Sequence, residues 1–317
     1  MKTKQIPLLA CTALLLLTFF LNFSLSKKYK IHDIRKGRPP GTEKITATLF
    51  CDQEEVTNFS YQEYLYWTKI IFGKKSARYI AALPDTTVWN IFPCSKAHIK
   101  NYLMHPKYRY YPVVGVSYEQ ALNFTKWRSD RVMEFILIGQ GYMKHVPAPD
   151  SVNYFTIERY YEGKIKVLDE KKPVYPYYPE YRLPSVEEWK MISSLSDSLF
   201  IASVPGIGKN HSLSYYDSEK HINCDFLINP TLICKNDSMI QEPIRKTTYF
   251  KKRTKLKWLV DDIRGNVSEM SSVKGVSLGG DWNTPYSKIM AISTSNYSKP
   301  DVYTGFRNVC EWKVWAK

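Results

Sequence analysis

No two cysteines in this sequence stand at CxxC spacing, and no group of cysteines and histidines has the spacing of a zinc site. That excludes a zinc ribbon and a thioredoxin-type redox centre. The histidines His32, His98, His105, His145, His211 and His221 are dispersed, and none begins a His-x-x-x-Glu pattern. A histidine-based iron site therefore has no visible ligand set. Internal repeats, low-complexity tracts and nucleic-acid-binding motifs are also missing.

What is present is a chain of 317 residues, with 44 % hydrophobic and 24 % charged residues, enough to bury a substantial core. Leucine is modest and aromatics are plentiful, with 24 Tyr and 8 Trp. Tyrosine can be half-buried with its hydroxyl wet, so this balance predicts a layered, loop-rich core rather than a helical bundle. The formal net charge is +15. Such charge bears on solubility and partners, not on fold. The densest basic run, 245–257, reads as a solvated loop or edge, and no nucleic-acid partner is expected.

Residues 1–26 read as a signal peptide or an uncleaved N-terminal anchor. Lys2 and Lys4 precede an almost wholly apolar stretch, 6–23, and Ser24-Leu25-Ser26 then offers small residues for a peptidase. Leu8-Leu9-Ala10-Cys11 resembles a lipobox, yet only about five apolar residues precede Cys11, too few for a signal core. Each reading puts the bulk of the chain outside the cytoplasm, in the periplasm or at the outer membrane, with the membrane contacted through the N-terminus.

Residues 27–45 are basic and carry Pro39-Pro40-Gly41, so they read as a linker. Residues 46–317 read as one domain. A short strand is expected over 46–50. Three capping boxes predict helix starts at Ser60, Ser117 and Ser185, where a Ser oxygen and a Glu or Gln three residues on satisfy backbone N–H groups reciprocally. Apolar spacing extends the first helix to about Phe72 and the second to about Ile138, and sets Trp189, Ile192 and Leu195 on one face of the third. Residues 139–181 and 196–250 read mostly as loop. In an oxidising compartment Cys224 and Cys234 can close a short loop. With Cys11 set aside, Cys51, Cys94, Cys224, Cys234 and Cys310 are odd in number, so one stays free or pairs between chains.

Several strings occur in a set order: Glu55-Val56-Thr57-Asn58; Tyr111-Pro112-Val113-Val114-Gly115-Val116-Ser117 leading to Trp127; Tyr181-Arg182-Leu183-Pro184-Ser185 leading to Glu188-Trp189; Asp262-Ile263-Arg264-Gly265-Asn266-Val267-Ser268-Glu269; Gly279-Gly280-Asp281-Trp282; and Thr304-Gly305-Phe306-Arg307. The series resembles the sulfatase-modifying, or formylglycine-generating enzyme, family. The resemblance implies an α+β, C-type-lectin-like, loop-rich fold in which Glu55, Asn58, Trp127, Arg182, Trp189, Gly279, Gly280, Trp282 and Arg307 are structural. Adjacent terminal strands are also implied, with Cys51 near Cys310 as a candidate disulfide. It further implies calcium at Asn266, Val267 and Glu269, although Ser268 and Met270 stand where the family has Trp.

The family's chemistry uses a late cysteine pair that binds copper. Residues 281–304 contain no cysteine, and the expected positions fall near Ile292 and Tyr286 or Ser287. Hydroxyls and alkyl groups do not hold Cu(I) as thiolates do, so no copper and no catalytic residue are expected. The strings 58–67, 82–89 and 127–132 further resemble gliding-motility and type nine secretion lipoproteins of Bacteroidota. This implies a non-catalytic structural or interaction part of an envelope machine, with envelope proteins as partners. The competing expectations are an extracellular ligand- or glycan-binding module and an enzyme of other chemistry.

Overall fold

A computed structural model describes residues 37–92, 96–146, 149–168, 174–203, 233–235, 238–241, 244, 246–247, 259–284 and 294–315. Strand β2 (Leu49–Asp52) lies between β1 (Thr42–Lys44) and β10 (Val309–Val314), and β10 in turn pairs with β3 (Tyr177–Arg182). All three pairings are antiparallel, so the first and last segments of the domain are hydrogen-bonded neighbours. β1 falls within the stretch expected to be linker. Its pairing with β2 brings the chain into the fold before residue 46, which corrects the 27–45 boundary.

Register decides the fate of two cysteines. Cys51 stands opposite Val309, and Cys310 stands opposite Phe50. Residues directly opposite share a face and successive residues alternate, so the two thiols point to opposite sides of the sheet. Both are buried and free. The expected Cys51–Cys310 disulfide is therefore absent, although the strands are adjacent. Cys224 lies outside the described residues, and with it the expected Cys224–Cys234 bond.

Helices cover both sides of this sheet. Helix α1 (Asn58–Phe72) buries Tyr61, Tyr64, Leu65, Thr68 and Ile71 at helical spacing and stops at Gly73, whose φ is 87°. Its cap is Thr57, not Ser60: the Thr57 hydroxyl accepts from Ser60 N at 3.2 Å. Short helices α2 (Ala77–Ala82) and α3 (Lys96–Asn101) follow, separated by a 3₁₀ turn at Thr86–Ile91. Helix α4 (Tyr118–Gly139) begins as expected, with Ser117 and Gln120 forming a complete capping box. Gln120 Nε2 also donates to Ala81 O at 2.9 Å and Leu83 O at 2.8 Å, which ties α4 to the end of α2. On the sheet face carrying Phe50, Tyr181 and Cys310, Val132 of α4 packs against them.

Helix α5 (Ile157–Tyr161) interrupts the stretch expected to be loop. Its first N–H donates to Asp130 Oδ1 of α4 at 2.8 Å. Burial is the main reason the Asp130 carboxyl is pushed up to about 7; Glu158 acts in the same direction, while the Ile157 bond, Arg131 and Lys126 oppose. The folded chain thus binds a proton that the unfolded chain releases near pH 4. Stability contributed by this proton is present below that value and is lost as pH rises toward 7. A decline of roughly 2–4 kcal/mol across that window is expected in urea titrations. Asp130→Asn keeps the acceptor and should flatten the slope; an unchanged slope would show that Asp130 is not its source.

Helix α6 (Val186–Ser203) starts from Ser185, whose Oγ accepts from Glu188 N at 3.1 Å while Glu188 Oε2 accepts from Ser185 N at 2.8 Å. Trp189 and Ile192 pack on the sheet face that carries Cys51 and Val309. Leu195, expected beside them, is exposed; Ser193 and Ser196 are buried instead.

A second sheet has the order β8 (Ser295–Asn296), β7 (Val276–Leu278), β6 (Ser268–Met270), β9 (Thr304–Gly305), with β6 and β9 parallel. A hairpin joins β4 (Ile233–Lys235) to β5 (Ser238–Gln241). Within the basic run Lys246 is exposed, while its neighbour Thr247 is buried, donating its N–H to Tyr110 O at 2.9 Å and its hydroxyl to Glu54 Oε2 at 3.0 Å. Among the described residues no helix is long and apolar enough to cross a membrane. The apolar stretch 6–23 lies outside them.

Candidate functional site

Arg307 is 1 % exposed at the junction of the two sheets. Its guanidinium has five N–H groups, and each finds an acceptor. Nε donates to Glu269 Oε1 at 2.9 Å; Nη1 donates to Asp52 O at 3.0 Å and Gln53 O at 2.9 Å; Nη2 donates to Asp261 O at 2.6 Å and Glu269 Oε1 at 2.7 Å. The other Glu269 oxygen accepts from Trp189 Nε1 at 2.8 Å. Burial opposes the charge on Arg307, but the charge and hydrogen bonds of Glu269 outweigh it, and the guanidinium is held protonated.

Glu55 is the second buried acid here. Its Oε2 accepts from Asn266 Nδ2 at 2.8 Å and its Oε1 from Val267 N at 3.4 Å. Burial first, then the charges of Asp262 and Glu269, push its carboxyl well above the usual carboxylate range, while Arg307 and the Asn266 bond pull the other way. The loop that brings these groups together is bent at two left-handed residues, Asp262 (φ 49°) and Asn266 (φ 57°). Asp and Asn tolerate that region better than other non-glycine residues. The bend is stitched by Gly265 N to Gly279 O and Trp282 N to Asn266 O, each at 2.9 Å.

The trio Asn266, Val267 and Glu269 is thus one constellation, but its donors do not fit calcium. The ion takes six to eight oxygens. Here both Glu269 oxygens are engaged, a guanidinium stands 2.7 Å from one of them, and Asn266 turns its amide nitrogen toward Glu55. Among the described residues no group of three or more His, Cys, Asp or Glu could hold a metal ion. The expected calcium ligands are instead parts of a hydrogen-bonded ion-pair core.

The remaining sequence strings are arranged around that core. Asn58 Nδ2 donates to Tyr102 O at 3.1 Å and Tyr108 O at 3.0 Å, holding the loop that precedes Tyr111. Arg182 forks onto Glu188 through two 2.7 Å bonds and reaches Glu311 at 2.8 Å, locking α6 to the sheet. A Cβ on Gly279 would stand 3.0 Å from both Ile263 O and Trp189 Cζ2, so the glycine lets the loop and the indole close together. Gly280, with φ 69°, completes the turn. Trp282 donates to Val302 O at 3.1 Å and packs on Tyr303 and Phe92. Trp127 packs on Tyr64 and Phe124, away from Arg307.

Cys51 and Cys310 are poor nucleophiles in this setting. Burial pushes both thiols up, and Arg307 and Arg128 only partly offset it. They face different sides of the sheet and cannot share a metal. Tyr286, Ser287 and Ile292, where the family's cysteines would fall, lie outside the described residues. Two groupings join residues of the strings, Arg128 of 127–132 and Trp89 of 82–89, to partners that no string names. The pair Arg128–Asp52, 2.5 Å, joins α4 to β2, and a ring cluster gathers Trp89, His98, Tyr102 and Tyr108. Both join residues from separate segments whose spacing has no period.

A small α+β domain in which loop-borne strings close on a buried arginine defines the class. The chain belongs to the family of sulfatase-modifying factor enzyme 1-like domains, whose model matches residues 22–311. Among solved structures, Treponema denticola variable protein 1 is 14 % identical, covering 83 % of this chain and 84 % of its own, with a TM-score of 0.37. A crystal structure of CarF is 18 % identical, covering 83 % of this chain and 86 % of its own, also with a TM-score of 0.37. No curated protein matches the chain.

Proposed function

We propose that this family member is non-catalytic and serves as an exported structural or interaction component of an envelope secretion or gliding machine, tethered to the membrane through its N-terminus. One observation carries the reading. The interval 281–304 has no cysteine, while the strings on either side keep the residues that build the Arg307 core. Burial of Cys51 and Cys310 on opposite sheet faces supports it further, because neither can supply a replacement thiolate. The likeness of 58–67, 82–89 and 127–132 to envelope lipoproteins supports the cellular setting.

The chemistry is tested by incubating the copper-supplemented full chain with a sulfatase-type cysteine peptide and reading aldehyde formation by mass spectrometry. No product is expected. Turnover that disappears in Cys224→Ser, Cys234→Ser or Cys310→Ser would overturn the reading. The setting is tested by crosslinking whole membranes and identifying what stays with the chain; recovery without envelope proteins would count against it.

A further inference from the structure

We propose that the outer stripe of α1 lies against an anionic phospholipid bilayer. Phe59, Tyr66 and Ile70 are 36 %, 49 % and 41 % exposed and recur along one side of the helix, with Lys69 beside them. Glu63 also lies on this side, but the stripe is otherwise apolar with cations at its margin, as an interfacial helix presents to lipid headgroups. The Arg109 guanidinium sits 3.8 Å over the Phe59 ring, so cation and aromatic stand together there. Met104, next to the Leu103 carbonyl that Gln62 of α1 binds, extends the apolar margin and is exposed.

Charge narrows the choice of occupant. Residues 58–110 carry eight Lys and Arg but only two acids, Glu63 and Asp85. Two copies of a segment with this balance would repel each other, which argues against self-association. The way the chain enters the domain favours lipid over an acidic polypeptide. Trp312 Nε1 donates to Gly37 O at 3.2 Å; Tyr181 Oη and Arg128 Nη2 donate to Pro40 O at 2.9 and 3.1 Å. The entering strand is thereby clasped onto the domain. Trp127, next to Arg128 in α4, packs on Tyr64 of α1 with ring centroids 5.5 Å apart. The point of entry therefore lies beside α1. Only thirteen residues, 24–36, separate the clasp from the apolar stretch 6–23, a reach of at most about 45 Å when fully extended. A domain held that close, on that side, turns this face toward the bilayer. This step rests on the anchor reading.

The full chain would be reconstituted in nanodiscs of phosphatidylcholine alone or with added phosphatidylglycerol, then footprinted with hydroxyl radicals. Labelling of Tyr66 and Met104 should fall roughly threefold or more in the anionic discs and return partly at about 0.5 M salt. Leu168 and Val174, exposed elsewhere, should not change. The double variant Lys69→Glu, Arg109→Glu should lose the protection with an unaltered thermal melt. Equal labelling in both discs would overturn the proposal. So would protection by soluble polyglutamate with none by lipid, which would assign the face to an acidic polypeptide. A chain that fails to co-elute with neutral discs would remove the anchor reading alone, and the same footprint on anionic vesicles would then decide the stripe.

Discussion

Arg307→Ala should lower stability by about 3–5 kcal/mol, because it leaves Glu269 as a buried charge without its partner. Three backbone carbonyls, Asp52 O, Gln53 O and Asp261 O, each lose a guanidinium donor at the same stroke, although Gln53 O keeps the Asp261 N–H at 2.7 Å. For a chain of this size the melting midpoint should drop by roughly 6–20 °C. That is a large share of the ~5–15 kcal/mol a folded domain has available. Arg307→Lys should recover little, since an ammonium offers three donors at one point and not five in a plane. Arg182→Ala is the contrast. Its guanidinium also forks onto carboxylates, but its side chain is 29 % exposed, and water can replace the lost bonds. Its cost should stay within about 1 kcal/mol. Equal melting shifts for the two variants would show that burial of Arg307 does not set the core.

Gly115→Ala should be comparably damaging, for a steric reason. Gly115 has φ 73°, and an added Cβ would run into the Asp85 carbonyl oxygen and stand 3.3 Å from Val88 Cγ2. The backbone cannot back away. Gly115 N donates to Asp301 O at 2.9 Å, and Gly115 O accepts from Asp85 N at 2.8 Å. Left-handed backbone alone costs an alanine about 1–2 kcal/mol, and forcing atoms into a packed site adds typically 1–3 kcal/mol. Gly163→Ala separates the two effects: φ is 72° there, with nothing within 4 Å of the added carbon. Urea midpoints should show a loss at Gly115 roughly 1–3 kcal/mol beyond that at Gly163. Matching losses would mean the Asp85 contact relaxes without cost.

How much of this was legible depended on range. The Ser117 and Ser185 caps are satisfied within four residues, so the letters suffice. At α1 the Ser60 box is overridden: Asn58, locked to Tyr102 and Tyr108, belongs inside the helix, which moves the cap to Thr57. Leu195 is exposed while Ser193 and Ser196 are buried, so apolar spacing alone does not fix which residues of α6 face inward.

The sequence by itself determined three things about this protein: where two of its long helices begin, that the stretch 281–304 cannot supply a thiolate pair, and that the ordered strings mark a member of the sulfatase-modifying factor family. Each depends on residue type or on neighbours a few positions away. The tertiary structure alone decided which strings meet. Arg307 finds Glu269 at a separation of 38 residues and Asp52 at 255, and Asn266 finds Glu55 at 211. It also decided that Cys51 and Cys310 occupy adjacent strands yet opposite faces. Desolvation of a buried charge and the alternation of a strand are properties of a packed environment. Both depend on what lies across the sheet, which no local run of residues records.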